Sequence, residues 1–239
     1  MGVPTIKCIL NGKYELILPK HRADRPEWYT EEGWEKKRID SMFETVNEGD
    51  VVFYVGVEEG DIAALLAKWG AQLVLFEPND KVWPNVKMIW DANNLKKPLA
   101  SFSGFAANVT DLKGTDLVWG DFPKSAIGPV IGNHGFKELA YEADVIPQIK
   151  IDDVIRQLKV RPAMITLDVE GSEFEVLKGA ADTLKQYKPD IYLSLHPEFL
   201  FRMFDVYAAD LRNWVKGFGY KEILLDYQHE VHLYYTGIQ

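Results

Sequence analysis

The sequence is short of cysteine, of long apolar runs and of basic charge, and each shortage excludes a class of protein. A single cysteine, Cys8, among 239 residues excludes an intramolecular disulfide and a zinc site built from cysteines. No run reaches the length of about eighteen apolar residues that a membrane-spanning helix needs. The first residues lack the basic start and apolar stretch of a secretory signal, so we expect a protein of the reducing cytoplasm.

Basic charge is scarce because 27 Lys and Arg residues stand against 36 Asp and Glu residues, which gives a formal net charge of −9. Such a surface repels phosphate backbones, so we predict no nucleic-acid partner. The dinucleotide fingerprint GxGxxG is missing, and so is the phosphate-binding pattern GxxxxGK followed by Ser or Thr. A ligand held mainly by its phosphate groups is therefore not favoured.

Apolar residues, by contrast, make up 47% of the chain, which is enough to bury a large core. From residue 51 onwards, apolar runs alternate with patterns of helical spacing, which is typical of a parallel sheet with helices on both faces. We predict strands over residues 51–55, 73–78, 102–109, 163–171 and 190–197. The runs at 222–228 and 230–236 almost touch in sequence, so they are expected to form an antiparallel hairpin.

The remaining segments are interpreted as additions to a single domain over residues 1–239. Residues 1–50 are predicted to form an N-terminal extension, a hairpin followed by a helix that begins near Glu31. Residues 111–148 are rich in Gly and Pro and lack clear periodicity. This predicts an inserted loop that, together with residues 19–30, covers the substrate as a lid.

Glycine or polar groups end four of the predicted strands, and ligands of such sheets bind outside the carboxyl ends of the strands. The turn from Gly56 to Gly60 lets the backbone approach a ligand closely. Glu77 ends the next strand and is placed to accept both hydroxyls of an adenosine ribose. The two strand ends together therefore favour a nucleoside ligand.

The other two strand ends carry acids and a histidine. Asp168 and Glu170 alternate along their strand, so they are expected to face opposite ways if the strand stays extended. Glu170 is suited to a structural role at the N-terminus of the next helix. His196, with an ordinary pKa of about 6.5, is suited to removing a proton at neutral pH.

Three longer stretches carry a family resemblance. Residues 165–199 contain a strand, the sequence DVEG, a helix and a second strand that ends in histidine. Residues 145–155 and 75–79 form two shorter motifs. They resemble the FkbM family of S-adenosylmethionine-dependent methyltransferases over about residues 51–199. The resemblance implies an α/β, Rossmann-like class I methyltransferase fold with a seven-stranded, mostly parallel sheet that ends in an antiparallel hairpin.

The resemblance also implies S-adenosylmethionine as the cofactor and a set of residues that contact it. These are Tyr54, Gly56, Glu58 and Gly60 along its amino-acid part, Glu77 and Pro78 at the ribose, Phe105 and Ala106 near the adenine, and Asp168 beside the methyl group. Two positions depart from the family, because Tyr54 stands where it typically has an acid and Glu58 where it has Asn. Since that acid helps to hold the cofactor's ammonium group, Glu58 or Glu59 is the expected substitute.

The implied reaction is O-methylation of a hydroxyl group on a small molecule or a sugar. His196 is our candidate base, with Asp168 as the alternative or as the residue that orients it. The candidate acceptor contacts are Trp28, Trp119, Asn133 and His134. No metal ligand is assigned, because Glu170 is expected to face away from Asp168 and His196, but a divalent metal is left open, as is the oligomeric state.

Two alternative functions stay open. A catalytically degenerate protein that binds S-adenosylmethionine or another nucleoside would explain the altered residues at positions 54 and 58. A nicotinamide-dependent oxidoreductase would share the sheet and Glu77, but the missing GxGxxG pattern and the terminal hairpin disfavour it.

Overall fold

The structure is a computed structural model that describes residues 3–24, 33, 35–125, 146–227 and 230–237. Its strands are β1 (Thr5–Leu10), β2 (Tyr14–Pro19), β3 (Val51–Val55), β4 (Gln72–Phe76), β5 (Ala100–Phe102), β6 (Phe105–Ala106), β7 (Val118–Trp119), β8 (Gln148–Ile149), β9 (Met164–Asp168), β10 (Asp190–Leu195), β11 (Tyr220–Tyr227) and β12 (Val231–Gly237). Its helices are α1 (Lys20–Ala23), α2 (Lys36–Thr45), α3 (Asp61–Lys68), α4 (Trp83–Ala92), α5 (Ile151–Leu158), α6 (Glu173–Lys178), α7 (Ala181–Gln186), α8 (Pro197–Phe204) and α9 (Ala208–Gly217).

The central sheet has the strand order β11-β12-β10-β9-β3-β4-β5-β7. Strands β10, β9, β3, β4 and β5 pair in parallel. Strand β12 is antiparallel to both β10 and β11, which confirms the predicted terminal hairpin. The mostly parallel α/β sheet is therefore confirmed, and the short strand β7 adds an eighth, antiparallel member beside β5.

Helices cover both faces of the sheet because its central strands are apolar on both sides. In β3, Phe53 and Val55 belong to one core, whereas Val52 and Tyr54 belong to the other. Side chains of α5, α6, α7, α8 and α9 fill the first core. The second core is filled from α2, α3, α4 and the β1–β2 hairpin, so the N-terminal extension packs directly against one sheet face.

The predicted strand over residues 102–109 is wrong in its extent. Strand β5 ends at Phe102, and β6 pairs in parallel with β8 in a separate two-stranded sheet. The chain breaks away at Gly104, where an added Cβ would lie 2.4 Å from the carbonyl oxygen of Pro147. Because this crossing depends on a segment distant in sequence, the apolar run itself does not reveal it.

The helices also differ from the sequence-based expectations. The helical pattern that follows Glu170 is split into α6 and α7 near Gly179, where an added Cβ would lie 1.9 Å from the carbonyl oxygen of Ala107. The helix expected near Glu31, which is outside the described residues, is found as α2 and begins at Lys36. Within the part of the chain that the structure describes, no helix combines the length and the apolar character needed to cross a bilayer.

Candidate active site

A cleft that is partly open to solvent lies at the carboxyl ends of β3, β4 and β9. Its lining brings together most of the residues that the sequence predicts for the cofactor: Gly56, Glu58, Glu77, Pro78, Phe105, Ala106 and Asp168. Gly60 is not in the lining; it precedes α3 with a φ of 92°. The sheet therefore gathers these scattered residues at one edge, where ligands of such folds bind.

Gly56 makes the floor of the cleft possible. Its φ is +82°, and an added Cβ would lie 1.8 Å from the backbone oxygen of Asp168. Its amide donates to the carbonyl oxygen of Phe76 over 2.9 Å. Only glycine fits this position, because the ends of β3 and β9 approach too closely there for any side chain.

Glu77 ends β4 and is only 2% exposed. Its Oε2 accepts a hydrogen bond from the amide of Glu58 over 3.1 Å, and its Oε1 accepts one from the amide of Asn79 over 2.9 Å. Burial raises the pKa of Glu77 to about 8, although both amides act in the opposite direction. An ionised carboxylate has about four acceptor sites, so two remain for donors from a ligand in the cleft.

The acids of the β3–α3 turn have different partners. Glu59 contacts Nε2 of His21 through its Oε2 over 2.6 Å. Asp61 accepts a hydrogen bond from Arg22 over 2.6 Å, and both side chains are buried. Glu58 adopts a φ of 50° and lines the cleft with a side chain that is 45% exposed. Of the three acids, Glu58 is therefore the one that faces a ligand.

Tyr54 does not line the cleft, contrary to its predicted place among the cofactor contacts. Its side chain is 3% exposed and packs in the core between the sheet and the N-terminal extension. The reason is the alternation of β3, which turns Tyr54 to the opposite face from Phe53 and Val55.

Arg38, on α2, is a site residue that the sequence analysis missed. Its guanidinium is 1% exposed and donates to Oγ1 of Thr166 over 2.9 Å and to Oδ2 of Asp168 over 3.3 Å. It also pairs with the buried carboxylate of Glu35. The sequence carries one sign of this role: Arg38 lies one helical turn before Met42, on the helix face that is buried, where a charged residue is unusual.

His196 is held between carboxylates at the end of β10. Its Nδ1–H donates to Oε1 of Glu173 over 2.7 Å, and its Nε2 contacts the carboxylate of Glu230. The same Nε2 lies 3.7 Å from Oδ1 of Asp168 and 3.8 Å from Oε2 of Glu170. Pairing of β10 with β12 places Leu195 opposite Val231, which brings the preceding Glu230 to His196.

The expectation that Asp168 and Glu170 face opposite ways is wrong. The strand ends at Asp168, and Glu170 has a φ of 50°, so the chain does not stay extended. Both acids line the cleft and both approach His196. Glu170 therefore does not face away from Asp168 and His196, so its direction does not exclude a metal ion at this edge of the sheet.

His196 differs from the free base that the sequence predicts. Burial lowers the pKa of its imidazole, but the hydrogen bonds to Glu173 and Glu230 outweigh burial and raise the pKa to about 11. His196 is also not among the residues that line the cleft, so its ring is held by carboxylates and does not face a substrate hydroxyl there. Asp168, the alternative base, lines the cleft.

One of the four predicted acceptor contacts, Trp119, lies within the described residues. Trp119 lies on β7, is 52% exposed and is not part of the cleft lining. Trp28, Asn133 and His134 fall outside the described residues. Their role in acceptor binding stays a prediction.

The strand order, the terminal antiparallel strand and the cleft at the strand ends together define a class I methyltransferase fold. Within that class, the chain belongs to the FkbM methyltransferase family, whose domain profile, "Methyltransferase FkbM domain", matches residues 50–222. No curated protein matches the chain.

Three solved structures show the same fold. The methyltransferase FkbM from Methylobacillus flagellatus KT is 20% identical with a TM-score of 0.53; the match covers 80% of this chain and 44% of that one. An rRNA methylase from Streptococcus thermophilus is 8% identical with a TM-score of 0.50, over 84% and 95% of the two chains. A putative rRNA-methylase from Clostridium thermocellum is 12% identical with a TM-score of 0.50, over 85% and 94%. The chain thus spans less than half the length of the FkbM structure that it matches.

Proposed function

We propose that the chain transfers a methyl group from S-adenosylmethionine to a hydroxyl oxygen of a small molecule or a sugar. The observation that carries the proposal is the buried Glu77 carboxylate, which faces the same cleft as the Gly56 turn and Asp168. A ribose diol would donate to the two free acceptor sites of Glu77 and would favour its charged form.

The other walls of the cleft suit the rest of this cofactor. Phe105 and Ala106 offer an apolar surface beside Glu77 for the adenine ring. The Gly56 backbone leaves room for the amino-acid part, and Glu58 is the acid that can pair with its ammonium group. When bound, S-adenosylmethionine supplies an electrophilic methyl group, so the protein's main task is positioning.

The acceptor hydroxyl must lose its proton as it attacks. Asp168 and Glu170 are the carboxylates that line the cleft at the end of β9, so we assign to them the orientation of the hydroxyl and the uptake of its proton. Arg38 fixes Asp168 from behind through its Oδ2. His196 acts through these acids rather than as the base.

A non-catalytic nucleoside-binding protein is the second candidate. It is favoured by Tyr54, which stands at the place of the family's acid and is buried away from the cleft. It predicts cofactor binding without methyl transfer to any acceptor. An RNA acceptor, which the names of two similar structures suggest, is disfavoured by the net charge of −9.

The cofactor part is tested by calorimetric titration with S-adenosylhomocysteine. We expect the wild type to bind and Glu77→Gln to bind at least tenfold more weakly, because the amide presents one donor where a hydroxyl needs an acceptor. Glu48→Gln, which changes an exposed acid, is the matched control. Equal affinity in Glu77→Gln and wild type, or tight NAD binding without S-adenosylhomocysteine binding, would refute the proposal.

The reaction is tested with S-adenosylmethionine that carries a labelled methyl group. Sugars, polyketides, small alcohols and a structured RNA are offered in parallel as acceptors. We expect label on a hydroxyl of one of the small molecules. Label on the RNA alone would overturn the predicted acceptor class, and binding without transfer would favour the non-catalytic alternative.

A further inference from the structure

We infer that Asp168, His196 and Glu230 bind a divalent transition-metal ion, such as Mn²⁺, at the edge of the cleft. Each of the three side chains offers one ligand atom, and these atoms all lie within 4.8 Å of one another. Donors around one divalent ion at 2.0–2.2 Å are roughly 3 to 4 Å apart, so small side-chain rotations complete the set. The Nε2 of His196 and Oδ1 of Asp168 are already 3.7 Å apart.

The orientation of His196 supports the inference independently of this distance. Its Nδ1–H donates to Glu173, whose side chain is fully buried and also accepts from the amide of Gly171 over 3.0 Å. A histidine that ligates a metal is typically held in this way by a carboxylate on its other nitrogen. Glu173 therefore fixes the tautomer and directs Nε2 towards the other two ligands.

Asp168 is divided between two partners in the same manner. Its Oδ2 receives the hydrogen bond from Arg38, and Arg38 is itself paired with the buried Glu35. Its Oδ1 faces Nε2 of His196. One oxygen is thus held from behind while the other is directed to the ion.

The charges at the rim also favour a cation. Four carboxylates lie around the His196 ring, those of Asp168, Glu170, Glu173 and Glu230. Glu173 and Glu230 are almost entirely buried. Arg38 lies against Asp168, and the His232 ring lies 3.3 Å from Glu230. The acids still outnumber these groups, and buried charge is costly unless it is paired or coordinates a metal, so a divalent ion relieves the excess. One imidazole and two carboxylates suit Mn²⁺, Fe²⁺ or Zn²⁺ better than Ca²⁺ or Mg²⁺.

The consequence for catalysis rests on the proposed function. Asp168 and Glu170 line the cleft, so a ligand position open towards it would receive the acceptor hydroxyl, whose pKa a divalent ion lowers. With Asp168 engaged as a ligand, Glu170 takes the proton. The hydroxyl oxygen forms the new bond to the methyl carbon, and the electron pair of the broken carbon–sulfur bond stays on sulfur, which leaves S-adenosylhomocysteine.

The experiment measures metal binding without turnover. The whole chain is freed of metal with a chelator and titrated by calorimetry with MnCl₂ and, separately, with ZnCl₂. Electron paramagnetic resonance follows the Mn²⁺ titration. We expect one Mn²⁺ per chain, and weakening by about 10-fold or more in Glu230→Gln and in Asp168→Asn. Glu198→Gln, which changes an exposed acid two residues from His196, is the control and should bind as wild type does.

Folding of each variant is checked by circular dichroism. Asp168 is 19% exposed, so Asp168→Asn keeps the test decisive if Glu230→Gln does not fold. Absence of stoichiometric Mn²⁺ and Zn²⁺ binding to the wild type, or unchanged binding in the folded variants, would overturn the inference. Binding of Mn²⁺ by a chain that shows no methyl transfer would instead leave the metal site standing and count against the proposed function.

Discussion

At the scale of single residues, the most consequential group is the carboxylate of Glu77, which is buried from solvent and has fewer hydrogen-bond donors than acceptor sites. Glu77 is 2% exposed and accepts two backbone hydrogen bonds. Burial raises its pKa although both amides lower it, so these two donors do not fully stabilise the charge. A ligand that donates two further hydrogen bonds would therefore bind the ionised form of Glu77 more tightly than its protonated form. The affinity for such a ligand then depends on pH.

We expect nucleoside affinity to fall as the pH falls below about 8, the pKa to which burial raises Glu77. The ionised form binds, so affinity rises with pH through that value and then levels off, by at most about tenfold per pH unit. Calorimetry with methylthioadenosine measures the effect without a titrating ligand amine. A flat profile in the wild type, or the same slope in Glu77→Gln, contradicts this assignment.

Arg38 is the residue whose loss should cost most stability. Replacing it in Arg38→Gln leaves the buried Glu35 carboxylate without its partner, and we expect a loss of about 3–5 kcal/mol in the free energy of unfolding. Urea denaturation measures it. The double variant Glu35→Gln/Arg38→Gln should recover part of the loss, and Lys37→Ala, at an exposed neighbour, should stay within about 0.5 kcal/mol of wild type. Additive losses in the double variant would show that the pair is not coupled.

How far these residues could be predicted depends on what surrounds them. Glu77 and Asp168 follow apolar runs, so their place at a sheet edge is readable from the sequence. The places of Arg38 and Glu230 cannot be read in this way, because only tertiary packing brings them to this edge of the sheet. Arg38 comes from α2, and Glu230 comes from the start of β12. The buried place of Tyr54 follows from the alternation of β3, which the family motif does not express.

At the scale of elements, the decisive feature is the close approach of the paired strands β3 and β9 at Gly56. The apolar runs predicted both strands, since a buried parallel strand is recognisable by composition. The left-handed turn at Glu170 and the break after β5 at Gly104 were not predictable, because they depend on contacts with distant backbone.

Gly56→Ala should lower the free energy of unfolding by more than the strain of a positive φ alone, because the added methyl group disturbs this close approach. A Cβ there would meet the backbone oxygen of Asp168 at 1.8 Å, so one of the two strands must move, at about 3 kcal/mol or more. Gly120→Ala is the control, because Gly120 also has a positive φ of 62° but no atom within 4 Å of an added Cβ, and should cost about 1 kcal/mol. Equal losses in thermal or urea denaturation would show that crowding at Gly56 is unimportant.

At the scale of the whole molecule, the N-terminal extension belongs to the same packed body as the sheet. Its hairpin and α2 pack into one of the two cores together with α3 and α4, and its charged side chains Arg22 and Arg38 reach the turn after β3 and the end of β9. The prediction of one domain over residues 1–239 therefore has a measurable form, because an extension packed in this way should not unfold separately.

We expect one cooperative unfolding transition, with coincident midpoints by far-ultraviolet circular dichroism and tryptophan fluorescence. S-adenosylhomocysteine at about 100 times its Kd should stabilise the folded chain by about 2.7 kcal/mol, which shifts Tm by about 5 to 10 °C for a protein of this size. Two transitions, of which the ligand shifts one only, would contradict the single domain.

The contact of Arg38 with Asp168 also constrains how relatives of this chain can diverge. The guanidinium of Arg38 pairs with the carboxylates of both Glu35 and Asp168, although Glu35 and Arg38 are far from Asp168 in sequence. Losing Arg38 alone leaves two carboxylates without their cation, whereas losing either acid alone leaves a neutral pair. Homologous chains that lack the arginine are therefore expected to lack one or both of the acids as well, so that these three positions covary.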